Sequence, residues 1–240
     1  MLSIIVPTLN EEKIIARTLN SLKDLKICDY EIIVSDGHSS DRTLAIAGQY
    51  ADKLVAHDGK IRQNIAQGRN AGTANASGRY FVFIDADVSI PDINTFFDRA
   101  LAAFEKNPKL VGLTVFMKVF PEHATLSDGF FFSLINWLHY VFNNFLHVGI
   151  ASGEFQMIRA EAFRQVGGYN EKLIMGEDVE MFGKLAKIGR TQSEAGLHVL
   201  HTSRRAHKLG WTKLLALWWT NAAFNKIFKH SLSKEWKVIR

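Results

Sequence analysis

Asp85 and Asp87 stand in FIDADV, one small residue apart, directly after the apolar run 80–84. Alternate residues of an extended segment point to the same side, so the two carboxylates can converge on one hard cation. An apolar run of that length reads as a buried strand, and open α/β sheets bind ligands just beyond the carboxyl ends of their strands. The pair is therefore a candidate site for Mn²⁺ or Mg²⁺ holding a diphosphate. A second acidic group, Glu177 and Asp178 with Glu180 behind, follows Gly176 at what reads as a helix start. Carboxylates there meet the positive end of the helix dipole, and one of them can also take a proton from an attacking hydroxyl.

Other positions fit the same chemistry. Asp36 in VSDGHSSDRT is placed to accept hydrogen bonds from a nucleobase, and Arg69 in GRNAGTANASG to face phosphate. His201 ends the last expected strand and is a candidate further metal ligand. Arg204 and Arg205, just after it, could neutralise a diphosphate of the donor or of a lipid-phosphate acceptor. Taken singly, each acidic or glycine-bearing segment is explained as well by a turn with capping residues. Neither G-x-G-x-x-G nor G-x-x-x-x-G-K-[ST] occurs after the first strand, so neither a dinucleotide fold nor a P-loop is supported.

These side chains need a sheet to present them. The pattern predicts strands over 2–6, 31–34, 53–56, 80–84, 110–120 and 197–201, and helices over 11–22, from Ser40 or Asp41 onward, 61–76 and 92–106. Helical stretches between strands imply a largely parallel sheet with right-handed crossovers. Gly68 and Gly72 weaken the third helix. With 240 residues, 47% apolar and 22% charged, the chain can bury one large core. The single cysteine, Cys28, excludes a disulfide framework and points to a reducing compartment. No signal peptide is expected from the strand-like start.

Order and spacing carry more than any single motif. The chain resembles glycosyltransferase family 2, inverting enzymes with the GT-A fold, from IIVPTLNEE through VSDGHSSDRT, GRNAGTANASG and FIDADV to GGYNE and GEDVEM. The resemblance implies an open nucleotide-binding sheet flanked by helices. It implies that Pro7, Thr8, Asn10, Glu11, Asp36 and Arg69 contact the nucleotide, and that Asp85 also does so. Asp85 and Asp87 would serve a divalent metal, and Asp178 would be the catalytic base with Glu177 beside it. Ser35 stands where many relatives have a further acid. Past about residue 190 the resemblance thins, and the processive signature Gln-x-x-Arg-Trp is absent.

The net charge of +5 is unevenly spread. From Arg204 to Arg240 there are nine Lys and Arg against the single acid Glu235, with Trp211, Trp218, Trp219 and Trp236 in the same tail. Trp211, Leu214, Leu215, Trp218 and Ala222 follow helical spacing beside Lys213, Lys226 and Lys229, which suits an interfacial helix on anionic lipid. The division expected is a GT-A-like domain over 1–203 and a basic amphipathic extension over 204–240. Residues 130–148 form a second aromatic stretch. Phe131, Leu134, Ile135, Leu138, Phe142 and Phe145 share one helical face, while Asn136, His139, Asn143 and His147 share another. Core packing or a lid over the acceptor is the expectation, with membrane contact as the sharper alternative, and the polar residues argue against a spanning helix.

The combined expectation is transfer of a sugar from a nucleotide-sugar donor, with a UDP-sugar favoured. The acceptor hydroxyl is left open, a lipid-linked one being a candidate. The enzyme would work peripherally on the inner face of the cytoplasmic membrane, without nucleic acid. A nucleotidyltransferase on a related sheet is the rival enzyme, and a non-catalytic membrane or nucleic-acid binding module the rival from another class.

Overall fold

Every residue of β1 (Leu2–Thr8) is buried, because helices cover the sheet on both faces. Leu2, Ile4 and Val6 enter the larger apolar cluster, while Ile5 joins Ile33, Phe81 and Phe83 on the opposite face. The computed structural model describes residues 1–59, 61–228 and 231. Its strands are β1, β2 (Tyr30–Asp36), β3 (Lys53–Ala56), β4 (Tyr80–Ile84), β5 (Leu110–Val119), β6 (Phe155–Arg159) and β7 (Arg190–His201). They form one seven-stranded sheet in the order β3-β2-β1-β4-β6-β5-β7. All neighbours are parallel except those of β6, which runs antiparallel to β4 and β5. The helices are α1 (Ile15–Leu22), α2 (Thr43–Ala47), α3 (Ile65–Ala74), α4 (Ile93–Lys106), α5 (Leu126–Asn144), α6 (Ala160–Gln165), α7 (Glu177–Leu185), α8 (Arg204–Leu209) and α9 (Trp211–Phe228).

The largely parallel sheet agrees with the pattern, and four departures have local causes. The first helix begins at Ile15, not Glu11, because side chains of the β2–α2 loop capture the preceding N–H groups. Asn10 N–H donates to Ser39 Oγ, Glu11 N–H to Thr43 Oγ1 and Glu12 N–H to Asp41 Oδ2. Strand β6 escaped the pattern because its buried polar residue, Gln156, breaks the apolar run; it donates to Ser152 O and accepts from Tyr169 Oη. Strand β7 starts seven residues before the expected position 197, and a register shift against β5 absorbs residues 195–197. Gly72 does not merely weaken α3. A Cβ there would lie 2.5 Å from Ile5 Cγ2, so the glycine lets the helix sit close on β1.

One buried carboxylate stitches the left half of the sheet. Glu31 accepts from Ser3 Oγ at 2.6 Å, from Ser77 N–H at 2.7 Å and from Ser77 Oγ at 2.8 Å, and pairs with Lys53 Nζ at 2.7 Å. Burial alone would raise this carboxyl, but Lys53 and the serine donors hold it at about 2, below its ordinary 4.5. A depressed folded-state pKa means stability that is present above the unfolded value and lost as pH falls through the folded one. Glu31→Gln should therefore cost about 1–2 kcal/mol at pH 7, with the Lys53 end discounted for its exposure. In urea unfolding the difference from wild type should shrink between pH 5 and pH 2.

The described part of the 204–240 segment packs into the same core as the rest of the chain. Ala206, Trp211 and Leu214 are buried in the larger cluster, with Leu209, Leu215 and Trp218 against it. The apolar face predicted for an interfacial tail helix is thus turned inward. Lys229 and Trp236, and the side chains of Trp219, Ala222 and Lys226, lie outside the described residues.

Candidate active site

The C-terminal ends of the parallel strands β1, β2 and β4 open into a cleft of about 620 Å³. Its walls include Pro7 and Thr8 at the end of β1, Glu11 after it, Ser35 and Gly37 at β2, Gln67 and Gly68 on α3, and Asp85 and Asp87 after β4. The C-terminal segment supplies the remaining side through His201, Ser203, Arg204, Arg205, Leu214 and Trp218, and α5 contributes Phe132. Residues nearly 200 positions apart therefore share one cavity, and the tail helix is a wall of it.

Arg204 closes the ring. Its guanidinium forks onto the Glu11 carboxylate, with both contacts at 3.1 Å, and its Nη2 also lies 3.1 Å from Asp87 Oδ2. Asp87 accepts a further hydrogen bond from Thr202 Oγ1. His201 is buried with its ring edge-on to Phe132 at 4.8 Å. Its Nδ1 accepts from Ser203 N–H at 3.3 Å and lies 4.0 Å from Glu154 Oε1, while its Nε2 is buried and has no hydrogen-bond partner.

Arg69 has a different place from the one the sequence suggested. It is fully buried on α3 and is not among the residues that line the cleft. Nη1 donates to Glu177 Oε1 at 2.9 Å, and Nη2 donates to Asp85 Oδ1 and to the Gly153 carbonyl, both at 3.1 Å. The ring of Tyr169 lies beneath it at 5.2 Å. Arg69 thus ties the end of β4 to the start of α7 and holds Asp85 close to Glu177. Asn70, the next residue, fastens GGYNE to the same helix: its Nδ2 donates to Tyr169 O and its Oδ1 accepts from Tyr169 N–H.

Electrostatics concentrate here. Burial pushes the Asp85 carboxyl up to about 7, with Arg69 opposing and Glu154 and Asp87 adding to the rise. Burial also raises Glu177 and Asp178; Asp178 adds to the rise of Glu177, and Arg69 counters both. Clusters of perturbed carboxylates mark candidate sites for handling protons and cations, and of these three Asp85 lines the cleft while Glu177 and Asp178 stand behind it.

Two loop glycines place the acidic pair. Gly176 has φ of +79° and starts α7, so Glu177 and Asp178 project from its first turn. Met175 O, just before it, accepts from Asn225 Nδ2 of α9 at 2.7 Å, so the tail also braces the start of α7. Gly153 lies between the two carboxylate groups. A Cβ on it would be 2.9 Å from Arg69 Nη2, 3.3 Å from Asp85 Oδ2 and 3.8 Å from Asp178 Oδ2. Its missing side chain keeps open the space beside Asp85 and Asp178. Gly153→Ala should crowd a guanidinium that cannot move and lower turnover by about 10–100-fold, with an overpacking cost of about 1–3 kcal/mol. Steady-state rates and thermal melts of the variant check this.

The nucleobase end is also rearranged. The Asp36 carboxylate is buried and occupied by its own loop, accepting from Ser39 N–H at 2.8 Å, Ser39 Oγ at 2.5 Å and Thr8 Oγ1 at 3.1 Å. Asn10 Oδ1 likewise accepts from Ser40 N–H at 2.8 Å. Ser35 lines the cleft instead, and its Oγ is buried without a partner. Ser35, Gly153 and Glu154 went unselected in the sequence because a single serine, glycine or glutamate in a loop has no spacing signature. The unpartnered Ser35 hydroxyl and the gap at Gly153 are visible only in three dimensions.

For a divalent cation the donor chemistry fits: two carboxylates, Asp85 and Asp87, and an imidazole nitrogen of His201 left without a partner, all lining one cleft. Among the described residues no three acidic, His or Cys side chains are drawn into a preformed cluster. Bound oxygen ligands would have to complete the coordination, as a diphosphate does.

Comparison with known proteins agrees with this geometry. The family profile described as Glycosyl transferase family 2 matches residues 3–167. Chondroitin synthase of Pasteurella multocida is 26% identical over 198 residues, which is 79% of this chain and 19% of that protein. The chain thus spans about a fifth of that relative's length. Among solved structures, mannosyltransferase PcManGT from Pyrobaculum calidifontis, in complex with GDP-Man and Mn²⁺, superposes with a TM-score of 0.74 at 18% identity. That match covers 97% of this chain and 65% of the other. Staphylococcus aureus TarS 1–349 in complex with UDP-GlcNAc gives 0.65 at 22% identity, over 84% and 58% of the two chains. The fold is GT-A.

Proposed function

The chain belongs to glycosyltransferase family 2, and we propose that it transfers a sugar from a UDP-sugar to an acceptor hydroxyl with inversion at the anomeric carbon. The observation that carries the reading is the single cleft lined by Asp85, Asp87, His201 and Arg204, with Asp178 and Asp85 both close to Gly153. Pro7, Thr8 and Ser35 frame the nucleoside, and Asp36 holds the loop that shapes that end. Asp178 accepts the proton of the acceptor hydroxyl as its oxygen attacks. The bond from the anomeric carbon to the diphosphate oxygen breaks, and the electron pair leaves with the diphosphate. Arg204 and Arg205 line the cleft where that charge develops. A divalent cation bound by Asp85, Asp87 and His201 would supply Lewis-acid neutralisation of the same oxygens. Glu177 stays paired with Arg69 and orients the helix start.

Uridine is favoured by the likeness to a UDP-GlcNAc complex, while the GDP-Man complex makes guanosine the competitor to test. Screening UDP- and GDP-sugars for hydrolysis and transfer, with Mn²⁺ and with EDTA, is the direct experiment. Turnover of a UDP-sugar that needs the cation supports the reading. Release of pyrophosphate from a nucleoside triphosphate and a sugar 1-phosphate would instead mark a nucleotidyltransferase. We place the enzyme at the inner face of the membrane as a peripheral protein. Among the described residues no helix is long and apolar enough to cross a bilayer.

A further inference from the structure

Helix α5 is amphipathic in the wrong sense for a helix on the surface of a protein surrounded by water. Its polar residues face inward: Asn143 is 0% exposed, and Asn136 and His139 are buried. Its apolar residues face outward: Leu126 is 96% exposed, Phe130 65%, Leu134 43% and Trp137 57%. These four recur at i, i+4, i+8 and i+11, a single stripe along the helix. Phe145 and Leu146 continue the exposed apolar surface past its end.

The inward polarity has a structural cause. Beyond Thr114, β5 has no partner on its β6 side, and Asn136 fills the gap by donating to Met117 O and accepting from Met117 N–H, both at 2.9 Å. Asn144 does the same for Ser193 of the edge strand β7. The amides are needed inside, but nothing in the core requires large apolar side chains outside. An apolar stripe of this length on a water-exposed face marks an interaction surface.

Charge identifies the occupant. The only acid of α5, Asp128, is buried and accepts from His207, Trp211, Ser203 and Thr125, so the outer face carries no negative charge. Asp128 and the stacking of Phe131 on Trp211 at 4.7 Å attach α5 directly to α8 and α9, where Lys208 and Lys213 are exposed. From Arg204 onward the chain has nine Lys and Arg to one acid, whereas the preceding residues have 20 bases to 23 acids. An uncharged apolar stripe beside the one strongly basic part of the chain complements a surface of hydrocarbon overlaid by anionic headgroups.

We propose that the outer face of α5 docks on an anionic bilayer, with Leu126, Phe130, Leu134 and Trp137 inserted at the headgroup–acyl boundary and Lys208 and Lys213 lying on the headgroups. This moves the inserting element from the tail, whose apolar face is packed, to α5. Phe132 on the opposite side of the same helix lines the donor cleft, so docking brings that cleft beside the membrane. The docking stands without the transfer reading; only its corollary, an acceptor carried on lipid, rests on that reading.

Flotation of the full chain with vesicles of phosphatidylglycerol and phosphatidylcholine tests it, beside fluorescence quenching by acyl-brominated lipid. Wild type should float with anionic vesicles at low salt, bind neutral phosphatidylcholine at least about tenfold more weakly, and show quenched tryptophan. The triple variant Leu126→Ser, Phe130→Ser, Leu134→Ser should lose about thirtyfold or more in partitioning. Its melting temperature and its hydrolysis of donor in solution should stay at wild-type values, which separates failed docking from failed chemistry. Trp137→Phe, which preserves insertion, should float normally but lose most of the quenching. The proposal is overturned if wild type stays soluble, if the triple variant floats as well as wild type, or if quenching survives in Trp137→Phe. It is equally overturned if sedimentation finds a dimer of the chain that the triple variant breaks and no vesicle binding.

Discussion

Replacing Asp87 by alanine is expected to abolish sugar transfer, by about 10²–10³-fold or more, while the protein stays folded. Asp87 is partly exposed at the cleft, and its partners are Thr202 and Arg204. Removing its carboxylate leaves Arg204 forked on Glu11, so the wall of the cleft keeps its anchor. What disappears is the negative charge that would draw a cation to the diphosphate. Calorimetric titration with UDP should therefore lose its dependence on Mn²⁺ in the variant, as well as its turnover. Equal UDP affinity of the wild-type protein in EDTA and in Mn²⁺ would sink the metal-bridged site, whatever the activity of the variant.

The second large effect is expected from Asp178→Asn. The amide keeps size and most hydrogen bonding but cannot take the proton, so kcat should fall by about 10²–10⁴-fold with donor affinity nearly unchanged. Burial raises this carboxyl, so the acid limb of the wild-type pH–rate profile should lie above the ordinary aspartate range. The rate should fall as pH falls, since the protonated form is inactive. Because Glu177 is adjacent and likewise raised, Glu177→Gln is the necessary control. That variant unpairs Arg69 and should lose stability as well as rate, whereas Asp178→Asn should lose rate alone. Near-normal transfer by Asp178→Asn at saturating substrates would place the base elsewhere.

What the sequence determined by itself is the part encoded in local runs. The alternation of apolar strands with helical stretches specified a largely parallel sheet, and 53–56 and 80–84 fall where β3 and β4 lie. Two aspartates immediately after a buried strand had to emerge at the sheet's carboxyl edge, and glycine followed by acids had to start a helix. Those constraints act over a few residues, so a linear reading reaches them. The order of the six quoted motifs carried the family for the same reason.

Tertiary structure decided where long-range partners compete for the same groups. Arg69 is cationic and beside small residues, yet it turns inward because Asp85, Glu177 and the Gly153 carbonyl, from three separate elements, converge around it. Asp36 has the right position to meet a base, but Ser39 and Thr8 already bond to its two oxygens, and Ser35 lines the cleft. The tail and α5 exchanged their expected surfaces for one reason. The helical period identifies two faces, but which one is buried depends on the groups waiting below it. Under α9 an apolar cluster accepts Trp211 and Leu214. Under α5 unpaired backbone of β5 and β7 demands amides, because an unsatisfied buried N–H or C=O costs more than an exposed leucine.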